Sequence, residues 1–326
     1  MRSVVTGATG CLGMNLTQRL LREGHEVLAL GRNQERGAIL STLGARFVAL
    51  DLMDQPRLKQ LSLNADFIFH CAALSSPWGR SVDFYQSNVL GTQHVIDAIP
   101  PNARLIYVST PSIYFDFISK YDIKENAPLP KTPANLYIKS KLLAEQCIDK
   151  AWHAHQLNVV TLRPRAIFGP YDTAILPRLL RAEKNGVLPI IGQGDNLIDV
   201  TCVGNVVDSL LLASTASSAA CGKKYNITND DPKKLIDILT LLYSALGTPL
   251  KIRSIPYPVA QAAAYGLETI YRLFRLPGEP RITRYSAGVL ALGQTLNIDA
   301  AKHDLNYKPI VSIEEGIHQF ATWYTS

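Results

Sequence analysis

Residues 4–16 read VVTGATGCLGMNL. A β-branched run is followed by Gly7, Gly10 and Gly13 at G-x-x-G-x-x-G spacing, and then by an apolar rhythm of helical period. Glycines at a strand-to-helix turn permit the tight bend and let the main chain approach a pyrophosphate. That group then rests on the N–H groups at the helix start. A glycine pattern alone is common, and its place at the first strand–helix junction of an alternating chain gives it meaning.

The alternation runs to about residue 165. RSVVT, HEVLAL, ARFVAL, DFIFH, RLIYVS and NVVTL read as strands, with CLGMNLTQRLLREG, QERGAILSTLG, QPRLKQLSL and SVDFYQSNVLGTQHVIDAI as helices between them. Such alternation predicts an α/β fold with a doubly wound parallel sheet, helices on both faces and ligands at the carboxyl ends of the strands. Past residue 165 prolines and glycines punctuate shorter elements. LIDVTCV and KKYNIT read as strands, and 204–215, 233–246, 256–276, 281–292 and 312–325 as helices. No repeat or linker separates the halves. The expected second, smaller α/β substrate domain is therefore interleaved, with 1–164 plus 196–230 for a dinucleotide and 165–195 plus 231–326 for substrate.

Bulk properties narrow the function. The 326 residues are 47% hydrophobic, enough for a large core. A net charge of +6 without a basic block sets nucleic acid aside as a partner and leaves room for small anions. Five cysteines, at 11, 71, 147, 202 and 221, form no CxxC, which points to a reduced, cytoplasmic chain. The apolar run before the first glycine is too short for a signal peptide. The most lipid-like stretch, 256–276, carries Glu268, Arg272 and Arg275, so no spanning segment is expected. Its Val259, Ala263, Leu267, Ile270, Tyr271 and Phe274 follow helical spacing, as in a packed lid or core helix, with a helix lying on a membrane surface as the alternative. The seven histidines show no metal-ligand spacing, and no metal is expected.

NLYIKSK (135–141) opens a predicted helix over 133–155. Tyr137 and Lys141 stand one turn apart on one face. They are either a surface pair or a phenol whose proton a neighbouring ammonium makes available.

Taken together, TGATGCLG (6–13), DL (51–52), HCAA (70–73), SNVLGT (87–92), VSTPSIY (108–114), NLYIKSK and RPRAIFGP (163–170) resemble the extended short-chain dehydrogenase/reductase family, in order and over nearly the whole chain. The resemblance implies a Rossmann domain and an acid/base tyrosine at Tyr137. Lys141 would lower the phenol pKa and hold the nicotinamide ribose. It implies a hydroxyl at Thr110 that meets the substrate oxygen, with Ser109 as the alternative. Cofactor contacts carried over are Gly7, Thr9, Gly10, Cys11, Leu12, Gly13, Arg32, Asp51 at the adenine edge, Leu52, Ala72, Asn88, Tyr137, Lys141 and Pro164.

At the end of the second strand, where NAD-preferring members carry an acid, stand Gly31 and Arg32. With no carboxylate for a ribose 2′-hydroxyl and Arg32 (with Arg36) available for a 2′-phosphate, NADP(H) is expected over NAD(H). Arg32 as a plain solvated arginine is the competing reading. Within the family, VGNVVDSLLLA resembles the 3β-hydroxysteroid dehydrogenase branch, and AALSSPWG, ILPRLL and GQGDNLIDVT resemble bacterial 2-alkyl-3-oxoalkanoate reductases. Sugar-nucleotide enzymes carry a basic residue near Asn196-Leu197 and an acidic pair where Gly204-Asn205 stand, and neither is present.

The expected activity is interconversion of a ketone and a secondary alcohol on a small hydrophobic substrate. A sugar-nucleotide epimerase or dehydratase with tightly bound NAD is the first alternative, and a non-catalytic NAD(P) sensor the second. Trp78 walls the cleft or is structural, and the resemblance implies a homodimer through 82–98 and 133–155.

Overall fold

The computed structural model describes residues 1–155 and 157–326. Seven parallel strands form its central sheet: β1 (Arg2–Thr6), β2 (Glu26–Gly31), β3 (Arg46–Ala49), β4 (Phe67–His70), β5 (Arg104–Val108), β6 (Val159–Pro164) and β7 (Lys224–Ile227). They lie in the order β7-β6-β5-β4-β1-β2-β3. The chain thus winds outward from β1 in both directions, and the crevice where the order reverses opens at the carboxyl end of β1. Register fixes what surrounds that end, for Thr6 pairs with both Leu30 and His70, and His70 with Tyr107.

Side chains alternate across a strand, and both faces of the sheet are buried. Val5, Ala29, Phe69, Ile106 and Val160 pack with Met14, Leu16 and Leu20 of α1 (Cys11–Arg22) and with Val206, Val207 and Leu210 of the helix Val203–Thr215. Their neighbours Val4, Leu30, Ile68, Leu105 and Val159 face Val95, Ala144 and Ile148 on the other side. Two-sided burial is why these strands read as continuous apolar runs.

Several elements differ from the sequence expectation. The helix expected over 81–99 runs without interruption from Ser81 to Ala98 but contains an unforeseen π-helical turn, Tyr85–Leu90. The helix carrying Tyr137 begins at Leu136, capped by the Asn135 side chain, which accepts from the Ile138 N–H at 2.8 Å. LIDVTCV is two short strands in different sheets, Leu197–Ile198 and Thr201–Cys202. Between them Asp199 turns to accept the Leu296 N–H at 2.7 Å. Lys120–Ile123 gives no strand signal, yet it joins a four-stranded sheet with Gln294–Leu296, Leu197–Ile198 and Lys233–Lys234.

The helix Tyr257–Leu273 turns inward a stripe next to the one expected. Leu267 and Tyr271 are half-buried as expected, Val259, Ala263, Ile270 and Phe274 are exposed, and Ala260, Ala264 and Glu268 are buried. Two alanines allow close approach to the neighbouring helix Arg284–Ala291. Glu268 is satisfied there by the Arg284 N–H and side chain at 2.7 and 2.9 Å.

A Cβ at position 13 would fall 2.2 Å from the Gly7 carbonyl oxygen and 2.6 Å from Ala8 Cα, both main-chain atoms with nowhere to move. Gly13→Ala should therefore destabilise the chain by about 3 kcal/mol or more. Gly266→Ala, at a helical site with open space around it, should stabilise by about 0.5 kcal/mol. Urea unfolding of both variants measures the contrast, and an unchanged midpoint for Gly13→Ala contradicts the close approach.

Candidate active site

The glycine turn is built by two close main-chain approaches. Gly7 has φ +68°, and a Cβ there would meet Ala72 Cα and N at 2.7 Å, so the turn lies directly on the loop after β4. Gly10 begins α1 in an extended conformation with no side-chain cap. The first-turn N–H groups are thus left for an external acceptor. This cradle fits the pyrophosphate of a dinucleotide. Leu12 is buried in the core and the Cys11 thiol bonds the Pro170 carbonyl at 3.4 Å, so these two residues could meet a phosphate only through their N–H groups. Burial pushes the Cys11 thiol far up, followed by the charge of Asp172.

Beside the turn, the Thr9 side chain covers Gly31: a Cβ at 31 would lie 2.7 Å from Thr9 Oγ1 and 2.8 Å from Cγ2. Arg36 donates to the Thr9 carbonyl at 3.0 Å, and Arg32 is exposed. Asp51 is exposed and accepts from the Met53 N–H, and the Leu52 carbonyl meets the His94 ring at 2.7 Å. Pro164 closes β6. Asn88 is fully buried in the π-helical turn. It accepts from the Leu74 N–H at 2.7 Å and donates to the Leu74 carbonyl and to Ser140 Oγ. Ser140 in turn donates to the Tyr137 carbonyl at 2.7 Å. Asn88 therefore ties the loop after β4 to the first turn of the Tyr137 helix.

Tyr137 is turned into the protein. Burial pushes its phenol up to about 12; the Thr110 hydroxyl opposes that rise, Tyr285 adds to it, and the Ser75 hydroxyl opposes it. Thr110 caps a 3-10 turn (Pro111–Tyr114), accepting from the Ser112 N–H at 3.2 Å and donating to Ser112 Oγ at 3.1 Å. Tyr285 donates to the same Ser112 oxygen at 3.0 Å. Ser109 points elsewhere, into a buried hydrogen bond with Glu145, so Thr110 and not Ser109 stands beside the phenol.

Lys141 is 2% exposed, with Nζ donating to the Val108 carbonyl at 2.8 Å and lying 4.3 Å above the Tyr107 ring. Burial pulls its amine down to about 7, against the charges of Glu145 and Cys71. The Lys141 amine is directed at the Val108 carbonyl. Without a bound nicotinamide, burial dominates and the phenol is raised. His70, fully buried between Thr6 and Thr92 hydroxyls, is held neutral, its pKa pulled down to about 3 by burial and then by Lys141.

Sequence reasoning missed the anion that organises this end of the sheet. Glu145, four residues beyond Lys141, takes Arg163 through two bonds of 2.9 and 2.6 Å, both side chains 4% exposed. The signal was the i+4 spacing from Lys141, which puts Glu145 on the buried face. It also missed Ser112 and Tyr285, which reach the site from a turn and from a distant helix.

A doubly wound sheet with a glycine cradle at its first strand and an inward-turned Tyr/Lys pair on one helix is the arrangement of the nicotinamide-dependent oxidoreductases in the broad sense. The sequence pattern of the "NAD dependent epimerase/dehydratase family" matches residues 3–228, and the chain belongs to that family, one of dehydrogenases, reductases and epimerases. A 2-alkyl-3-oxoalkanoate reductase of Shewanella oneidensis is 34% identical over 96% of this chain and 84% of its own length. Human sterol-4-alpha-carboxylate 3-dehydrogenase, decarboxylating, is 28% identical over 98% of this chain and 87% of its own. The fold is shared with a Bacillus cereus UDP-glucuronic acid 4-epimerase solved with NAD, at TM-score 0.80 and 20% identity, covering 100% of this chain and 99% of that one.

A buried lysine whose amine is pulled down to about 7 opposes folding wherever the unfolded lysine is charged and the folded one resists charging. The penalty is full below pH 7 and fades as pH rises toward 10. Lys141→Met should thus raise the melting temperature by about 2 °C at pH 6, and by less at pH 9. Thermal unfolding at the two pH values tests this, and a fall in melting temperature at pH 6 contradicts it.

Proposed function

We propose that this protein interconverts a ketone and a secondary alcohol on a small hydrophobic substrate, with Tyr137 as the proton donor and acceptor and NADP(H) preferred over NAD(H). The observation that carries the reading is the half-buried phenol of Tyr137 beside the Thr110 hydroxyl. With its pKa pushed up to about 12 by burial, Tyr137 holds its proton at neutral pH and is suited to deliver it to a carbonyl oxygen. Thr110, fixed by Ser112 and its place at the head of a turn, orients that oxygen. Lys141 spends one donor on Val108, leaving two for the ribose hydroxyls. A bound nicotinamide supplies or accepts the hydride.

Substrate class rests on two observations. Relatives named for 2-alkyl-3-oxoalkanoates and sterols share 27–34% identity with nearly the full chain. The positions where a sugar diphosphate would be gripped are committed to packing. Asn205 binds Asn229 and the main chain of Ile310 and Val311, and Asn196 donates to the Leu292 carbonyl.

Cofactor preference rests on Thr9 occupying the space over Gly31 and on exposed Arg32 beside it. We assign substrate binding to 165–195 with 231–326, and dinucleotide binding to 1–164 with 196–230. Five unpaired cysteines support a reducing, cytoplasmic setting. Among the described residues no helix is long and apolar enough to cross a membrane. Exposed Val82 and Tyr85 along one proposed contact helix, and Leu136 on the other, support a homodimer; light scattering in solution should return twice the 35.9 kDa chain mass.

The activity is tested by mixing pure protein and NADPH with steroid ketones, 2-alkyl-3-oxo acids and UDP-sugars. NADPH consumption is expected with the ketones, Tyr137→Phe should lower kcat by at least about 100-fold, and Arg32→Asp should shift preference toward NADH by about 10-fold. Turnover confined to the UDP-sugars would overturn the reading.

A further inference from the structure

Arg165 is a buried cation with no counter-group. It is 6% exposed, and its Nε is enclosed without a hydrogen-bond partner. Two residues earlier, Arg163 shows what this chain does with a structural guanidinium: two bonds to Glu145, one to the Tyr114 hydroxyl and one to the Glu125 carbonyl. Among the described residues Arg165 makes none of these side-chain bonds. Asp199 is the carboxyl whose charge reaches it, but that residue bonds the Leu296 N–H, and burial holds its pKa up at about 6. An unpaired buried charge opposes folding by several kcal/mol, so its retention calls for a reason.

The main chain fixes where this side chain starts. The Arg165 N–H donates to the Ile227 carbonyl at 3.0 Å, the Thr201 hydroxyl bonds the Arg165 carbonyl, and Ala166 is held at φ +44°. A non-glycine residue held there is strained. Arg165 directly follows β6, at the carboxyl end of the sheet. Tyr285 lies close enough to act electrostatically on both the Arg165 guanidinium and the Tyr137 phenol, and its hydroxyl joins the Ser112–Thr110 chain. The unpaired cation and the phenol therefore flank one side chain, Tyr285.

We propose that Arg165 is the substrate's carboxylate subsite: its planar fork pairs with an acid group borne close to the carbon that Tyr137 serves, so that the protein selects 3-oxo or 3-hydroxy acids over neutral ketones and alcohols. The inference rests on the reductase reading given above. A guanidinium matches a carboxylate or a phosphate through two parallel bonds, and the fold separates the two sources. The pyrophosphate cradle lies at β1, three strand spacings from β6 in the order β6-β5-β4-β1, which is about 14 Å. The positions that would grip a second diphosphate are bonded within the protein. A carboxylate on the substrate is the anion that remains.

A stable 2-alkyl-3-hydroxyalkanoate and its methyl ester, oxidised with NADP, test the proposal on the full-length protein. The wild type should favour the acid over the ester by roughly 100-fold in kcat/KM, with most of the difference in KM. Arg165→Gln should bring that ratio near one, and Arg165→Lys should restore part of it. Calorimetric binding of decanoate, a carboxylate that cannot react, scores the subsite separately from turnover. Its loss in Arg165→Gln supports the subsite even if no alcohol is oxidised and the reductase reading fails.

Three results overturn the proposal: a wild type indifferent to acid and ester, equal loss of both in the variants together with a lowered melting temperature, or unchanged decanoate binding. Weakened NADPH or UDP binding in Arg165→Gln, with decanoate binding intact, assigns the guanidinium to a phosphate instead.

Discussion

Glu145 is the anion around which the carboxyl end of the sheet is assembled. It stands on the long helix that begins at Leu136, yet its partners come from elsewhere: Arg163 from β6, Ser109 from the end of β5, and Lys224 from β7 at 3.6 Å. One side chain thus draws three adjacent strands toward one helix. Arg163 carries the effect further by bonding Tyr114, which holds the turn that presents Thr110. A charge so deep is tolerable because nearly every lone pair is used, and its carboxyl is accordingly held below the usual range despite burial. Once the helix is seated at this depth, Tyr137 and Lys141, two turns and one turn earlier, are carried inside with it.

The site contains three buried cations under different terms. Arg163 is fully compensated. Lys141 has a carbonyl and an aromatic face, which suit an ammonium but do not neutralise it, and its amine titrates near neutrality as a result. Arg165 has less still.

Much of this was legible in the sequence, for identifiable reasons. The seven-stranded sheet follows from apolar runs buried on both faces, and the glycine turn from contacts that exclude a Cβ at positions 7 and 13. Tyr137 and Lys141 were visible because their spacing is set by one helix. What escaped depends on contacts between distant segments. Lys120–Ile123 is a strand because Gln294–Leu296 lies beside it, and nothing in KYDI announces that. Tyr285 reaches Ser112 across 173 residues. The helix Tyr257–Leu273 has two apolar faces, and Glu268 opposite Arg284 decides which one turns inward. The burial that raises the Tyr137 phenol also escaped, since it is a property of the whole fold and not of a four-residue spacing.

The packing of Thr9 over Gly31 makes these two positions epistatic. A side chain introduced at 31 alone meets the threonine, so a scan of single substitutions would score the site as intolerant. A smaller residue at 9 would have to come first, at a stage when it confers no new specificity. What position 31 accepts is therefore set by the residue held at 9.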